Sequence, residues 1–320
     1  MRSDPSPSRP FMVCRDGEAV PGGLEGAVAA IGNFDGVHRG HQSLIRMALE
    51  AGRPAAVVTF EPHPRTFFRP SEPLFRITPE PVKLAILRRI GLDGAFVRRF
   101  DARLASLSAG EFVDLLAQDL KLSGVVIGHD FHFGRGREGT PALMKELCAA
   151  RGLSCRIVEA VRDGAEPVSS SAIRAALEAG DVARANELLG YRWFVQGEVR
   201  HGDKRGRLLN YPTANMRLPE DCRLRYGIYA VRAAVDGRPV DGVASFGRRP
   251  TFDNGAPLLE THLFGFDGDL YGKVLDVELV GWIRGEEKFD SVEALVARMD
   301  RDSDEARQIL ATDRTASMIE

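Results

Sequence analysis

The chain has 320 residues and a formal charge of -2, from 43 lysines and arginines against 45 aspartates and glutamates. That length exceeds the usual size of one core, so two domains are expected. The near balance of charge gives no global pull toward nucleic acid or an anionic membrane.

In chain order, the opening MRSDPSPSRP is polar and rich in Pro and Ser, a loose tail with no secretory signal. No apolar run approaches membrane-spanning length, which predicts a soluble protein that engages no membrane. Cys14, Cys148, Cys155 and Cys222 form no CxxC pair and fall at no zinc-ligand spacing, so they read as reduced thiols of a cytoplasmic protein.

Between about residues 26 and 161, short apolar runs alternate with helical patterns, the rhythm of a parallel sheet with crossover helices. The strand candidates are GAVAAIG, AAVVTF, GAFVRRF, GVVIG and CRIVEAV, and between them lie HQSLIRMALEAG, PVKLAILRRIG, GEFVDLLAQDL and TPALMKELCAARG. Leu44, Ile45, Ala48 and Leu49 share one helical face, with a stop predicted at Gly52. Thr140 before Pro141 predicts a helix cap and first turn.

After Gly190 the rhythm turns to β, with no helix long enough for parallel crossovers, which predicts a small antiparallel barrel. Asp236-Gly237, between AVRAAV and PVDGVASF, predicts a hairpin. A closing helix is predicted from near Asp290, with Asp290 and Glu293 capping its first turn and Val292, Leu295, Val296 and Met299 facing a core.

Only seven histidines occur, and two of them, His38 and His41, stand in NFDGVHRGH just past the first strand candidate. Ligands of an open α/β sheet collect at strand carboxyl ends. Gly36 and Gly40 allow a tight turn and close approach there, and helix-start amides favour an anion. Histidines beside a phosphate donate hydrogen bonds and offset charge building at phosphorus. A metal held by the pair and a merely structural pair are the rival readings. His63, His129 and His132 also follow strand candidates. Ser169, Ser170 and Ser171, with Arg174 one turn on, make either a phosphate cradle or a plain N-cap.

Together, GNFDGVHRGH, TFEPHP, GHDFHFGRGREG and SSSAIR resemble the FMN adenylyltransferase module of the prokaryotic bifunctional riboflavin kinase/FAD synthetase family. GEVRHGDKRGRLLNYPTANM, YGIYAV, FGRRPTF, LLETHLFGFDGDLYGK and IRGEEKF resemble its riboflavin kinase module. The resemblance implies an α/β fold: a Rossmann-like nucleotidyltransferase domain with a parallel sheet over 15–188, then a small antiparallel β-barrel kinase domain with a C-terminal helix over 189–312. The implied substrates and products are riboflavin, FMN, FAD and ATP, with Mg²⁺ and no nucleic acid; oligomeric state stays open.

For the first module the resemblance implies that His38, His41 and Arg174 are catalytic. Gly32, Phe34, Asp35, Gly36, Ser170 and Ser171 would bind ATP, and His63, Pro64, Asp130, Phe131 and Phe133 the flavin, although aromatics so spaced also suit a core. For the second it implies Thr213 and Asn215 as Mg²⁺-ATP ligands, Glu260 as general base, and Gly202, Lys204, Gly206 and Arg207 over the phosphates. Departures from the family pattern are Asn210 for glycine, His129 for an acidic residue, Thr140 for Asp or Asn, Ser171 for threonine and Gly265 for aspartate. Alternatives are a chain with one active module, a nucleotidyltransferase acting on another acceptor such as pantetheine phosphate, and a flavin carrier without turnover.

Overall fold

The computed structural model describes residues 10–52, 54–202, 209, 211–248 and 256–319. Lys204, Gly206, Arg207 and Asn210 lie outside the described residues. The chain forms two compact units: residues up to Leu74 with Thr78–Ser169, and Phe75–Ile77 with Ser170 onward.

The first unit holds β1 (Met12–Arg15), β2 (Val28–Ile31), α1 (Arg39–Glu50), β3 (Ala55–Glu61), α2 (Pro64–Phe68), α3 (Glu80–Ile90), β4 (Gly94–Arg99), α4 (Ala102–Ser106), α5 (Ala109–Asp114), β5 (Gly124–Gly128), α6 (Pro141–Ala150), β6 (Ser154–Val158) and the short pair β7 (Arg162–Asp163) and β8 (Glu166–Pro167). Six strands pair in the order β1-β4-β3-β2-β5-β6, all in parallel. The five strands expected from the sequence are present. β1 was not expected; it joins the edge beside β4, where any Cβ on Gly94 would strike the Met12 carbonyl.

Alternate residues of the central strands, Ala29 and Ile31, Ala56 and Val58, Val125 and Ile127, enter one core with Phe112, Leu116, Met144 and Cys148. The interleaved Ala30, Val57 and Val126 are buried too, with α1 packed against β2, β3 and β5. Burial on both faces explains the near-continuous apolar runs. α1 ends at Glu50, and Gly52 takes a φ of 119°. Thr140 caps α6 by accepting from the Leu143 N–H, with Pro141 in the first turn. Threonine here performs the same capping as Asp or Asn.

The second unit opens with α7 (Ser170–Ala179) and α8 (Val182–Leu189), then β9 (Phe194–Glu198), β10 (Ala214–Arg217), β11 (Gly227–Val235), β12 (Arg238–Arg248), β13 (Pro257–Leu263), β14 (Val274–Arg284) and a C-terminal helix, Val292–Thr312. The strands form an antiparallel sheet in the order β10-β13-β12-β11-β14-β9. An added bridge from Arg200 to Asn215 links its two ends, so the barrel nearly closes. The β11–β12 turn has positive φ at Asp236 (50°) and Gly237 (74°), the hairpin expected at that dipeptide.

The compact units part at Ser169/Ser170. α7 and α8 group with the barrel for a physical reason: the buried Asn186 amide donates to the Leu279 carbonyl at 3.0 Å and accepts from the Trp193 N–H at 2.7 Å. Phe75–Ile77 joins them because the Trp193 indole donates to the Ile77 carbonyl at 2.8 Å.

The closing helix starts with Ser291 as its cap, accepting from the Ala294 N–H, not Asp290. A β-region hydroxyl at that position reaches the third amide, which displaces the expected cap. Val292 is 56% exposed, contrary to expectation. The packed stripe lies further along, at Ala306 and Leu310 against Ala230, Val243 and Val280.

Candidate active sites

In the first unit the loop after β2 turns sharply before α1. Gly36 has φ 84°, as a glycine allows, but Phe34 (51°) and Val37 (37°) also have positive φ. Bulky residues persist there only when their surroundings fix them. Three bonds do so: the Gly36 N–H donates to Thr78 Oγ1 at 2.8 Å, the Thr78 N–H donates to Asp35 Oδ1 at 3.0 Å, and Gln42 Nε2 donates to the Val37 carbonyl at 2.9 Å. Phe34 and Asp35 are buried, so Asp35 braces the loop from inside. Gly32 lies against the Phe34 ring.

His38 is the N-cap of α1, its Nδ1 accepting from the His41 N–H at 3.3 Å. The two imidazoles stack, with centroids 3.7 Å apart and planes at 21°. A Cβ on Gly40 would come within 3.1 Å of the His38 ring, so glycine gives that ring its place. His41 Nδ1 is buried with no hydrogen-bond partner among the described residues. Burial first, then the neighbouring His38 and Lys83 charges, hold His41 well below the ordinary imidazole value. A neutral imidazole whose buried Nδ1 has no partner among the described residues, at a helix start, can receive an incoming ligand group. Among the described residues no third His, Cys, Asp or Glu joins the pair as a metal cluster.

His63 follows β3 and caps α2, accepting from the Arg65 N–H at 3.1 Å, with Pro64 as the first helical residue. Asp130 and His129 are exposed in the loop after β5. Phe131 and Phe133 stack at 5.7 Å; Phe133 belongs to the core, and Phe131 packs half-buried against it. The loops carrying His38, His63 and Asp130 thus all leave strand carboxyl ends of one parallel sheet. Strand order reverses between β2 and β5, the switch point where such sheets bind ligands.

In the second unit Ser170 and Ser171 open α7, and Arg174 Nε donates to the Phe75 carbonyl at 2.7 Å.

The barrel builds a separate constellation. β10 and β13 pair so that Asn215 stands opposite Glu260, with Ser245 opposite Glu260 on its other side. Asn215 is 7% exposed, its Nδ2 donates to the Thr213 carbonyl at 3.2 Å, and its Oδ1 is buried without a partner among the described residues. A Cβ on Gly202 would lie 2.7 Å from that amide, so glycine leaves the amide its space. An orphaned amide oxygen beside Thr213 is an oxygen-only donor set, which suits a hard divalent cation.

Sequence reasoning missed the supports of both sites. Lys83 is wholly buried beneath the first; its signal was a charge on the apolar face shared by Ile86 and Leu87. In the barrel, His262 Nδ1 lies 2.9 Å from the Pro212 carbonyl, and the Tyr211 hydroxyl donates to Asp300. A carbonyl only accepts, so His262 carries its proton on Nδ1. These bonds hold the segment that presents Thr213 and Asn215. Gly265 has φ 67°, a conformation that glycine takes without strain.

Residues 21–172 match the family model described as FAD synthetase, and residues 189–310 the one described as riboflavin kinase. The bifunctional riboflavin kinase/FMN adenylyltransferase of Escherichia coli K12 is 38% identical, over 91% of this chain and 95% of that protein. Its namesake from Bacillus subtilis 168 is 38% identical over 88% and 91%. A crystal structure described as a macrolide-efflux protein from Streptococcus pneumoniae has a TM-score of 0.80 at 32% identity, covering 88% of this chain and 94% of that one.

Proposed function

The chain belongs to the bifunctional riboflavin kinase/FMN adenylyltransferase family, and from that premise we propose which residues perform each of its two reactions. The enzyme phosphorylates riboflavin to FMN with ATP, then adenylylates FMN with ATP to give FAD and pyrophosphate. The adenylyltransferase domain is taken as 15–188 and the kinase domain as 189–312.

In adenylyl transfer an FMN phosphate oxygen attacks the α-phosphorus of ATP and pyrophosphate leaves, with no covalent enzyme intermediate. Catalysis is placement and charge stabilisation. His38 and His41 hold the ATP phosphates and the charge that builds at phosphorus. Gly32, Phe34, Asp35 and Gly36 shape the loop around the nucleotide. Ser170, Ser171 and Arg174 take the leaving pyrophosphate, and His63, Pro64, Asp130, Phe131 and Phe133 border the flavin.

In the kinase reaction Glu260 accepts the proton of the ribityl 5′-hydroxyl, whose oxygen attacks the γ-phosphorus while ADP leaves. Thr213 and Asn215 would hold Mg²⁺, which when bound offsets the charge of the ATP phosphates. Gly202, Lys204, Gly206 and Arg207 cover those phosphates, the last three lying outside the described residues. The observation that carries this reading is the register that sets Asn215, with its orphaned Oδ1, opposite Glu260.

We place the enzyme in the cytoplasm, a reading supported by free cysteines at all four positions. Among the described residues no helix is long and apolar enough to cross a membrane.

The test is chromatography of riboflavin, ATP and Mg²⁺ incubated with enzyme variants. Glu260→Gln is expected to stop FMN formation while FAD still forms from supplied FMN. His41→Ala is expected to do the reverse. Loss of both activities in either variant would overturn the assignment of separate sites.

A further inference from the structure

Lys83 lies in α3 with its side chain 0% exposed. Its ammonium donates to Glu61 Oε1 at 2.7 Å, Thr59 Oγ1 at 3.0 Å and the Asn33 carbonyl at 3.3 Å. Thr59 Oγ1 in turn donates to the same Asn33 carbonyl at 3.2 Å. An ammonium carries three protons to donate. These acceptors all sit at one place: Thr59 and Glu61 end β3, and Asn33 is the second residue past β2.

Stability does not account for this arrangement. Replacing a buried ion pair by apolar groups of similar volume is often neutral or stabilising, and here the ammonium has lost all of its water while the Glu61 side chain keeps 16% exposure. The location suggests another purpose. Asn33 begins the stretch whose Phe34 and Val37 take positive φ and which leads through His38 into α1, where His41 stands. Thr78 and Asp35 brace the middle of that loop and Gln42 its far end. Lys83 supplies the anchor at its start.

We propose that Lys83 is a positioning residue for adenylyl transfer, its ammonium tying the carboxyl ends of β2 and β3 together and fixing the loop that presents His38 and His41. The inference rests on the assignment of those two histidines to the adenylyl-transfer site. The depressed protonation of His41, to which the Lys83 charge contributes, agrees with it.

The experiment compares Lys83→Met, the double variant Glu61→Gln/Lys83→Met, and His41→Ala in the full-length chain. Each is assayed for FAD formation from supplied FMN, for FMN formation from riboflavin, and for thermal unfolding. Misplacing reacting groups by about 1 Å costs roughly 100-fold, so Lys83→Met is expected to lower kcat for FAD formation by at least about 30-fold. KM for FMN should hold within about threefold, since the loop is displaced while the flavin contacts remain. FMN formation serves as the internal control and stays near the parent rate. Glu61→Gln removes the negative charge that faced the Lys83 ammonium, so the double variant regains thermal stability lost by Lys83→Met but keeps the low kcat. FAD formation returning together with stability in the double variant would overturn the proposal, as would a Lys83→Met enzyme with parental kcat. Should His41→Ala make FAD at the parent rate, the site assignment itself falls, whatever Lys83 does.

Discussion

Asn215 and Glu260 stand opposite each other on β10 and β13, one with an orphaned amide oxygen and the other with a carboxylate. That register is what supports the proposed roles of Asn215 as a cation ligand and Glu260 as the proton acceptor. Asn215→Ala removes the proposed ligand and leaves Glu260 in place. It should raise the Mg²⁺ concentration for half-maximal FMN formation by about tenfold or more, a loss of the size seen when groups that tune a metal site are removed. A Mg²⁺ titration of riboflavin phosphorylation checks this, with FAD formation from FMN unchanged.

Gly40→Ala separates stability from activity in the other reaction. Alanine improves helix propensity by up to about 1 kcal/mol, yet its Cβ would press on the His38 ring from 3.1 Å. The melting temperature should hold or rise while FAD formation falls by roughly tenfold, the scale of a small displacement of the proposed catalytic His38. Melting curves beside FAD assays measure both.

His41 makes stability depend on pH. Its folded value is depressed, so below the unfolded value of about 6.5 the unfolded chain binds a proton that the native chain does not. Stability is therefore full above that value and declines as pH falls below it, by at most about 1.4 kcal/mol per pH unit, until the folded group also protonates. Thermal melts at pH 7.5 and 5.5 should show a drop in the parent that is smaller in His41→Gln.

Asn186→Ala should destabilise the second unit. The buried amide serves both the Leu279 carbonyl and the Trp193 N–H. Its loss leaves two buried backbone groups unsatisfied, at a cost of about 2 kcal/mol or more. Urea unfolding monitored by tryptophan fluorescence reads this, since Trp193 lies at the affected joint.

Much of this arrangement is legible in the sequence, because doubly buried strands and amphipathic helices leave strong periodic signals. β1 is not: four residues, MVCR, carry too little pattern, and Gly94 across the sheet makes room for the strand's backbone. The closing helix misleads because Val292 precedes the turn that packs, while the buried face includes Asp302 and Ser303, polar residues that periodicity counts as outward. The histidine and PTAN motifs mark their sites through local spacing. Their supports, Thr78 and Lys83 for the first and His262 and Asp300 for the second, lie tens of residues away and meet their partners only through tertiary folding.

The indole of Trp193 ends on the carbonyl of Ile77, more than a hundred positions upstream, so the barrel's compact unit recruits a three-residue excursion from the earlier part of the chain. No single cut releases that unit whole. A fragment begun at residue 189 forfeits the acceptor at Ile77 together with the Asn186 clasp, and a stand-alone version of the barrel would have to replace both.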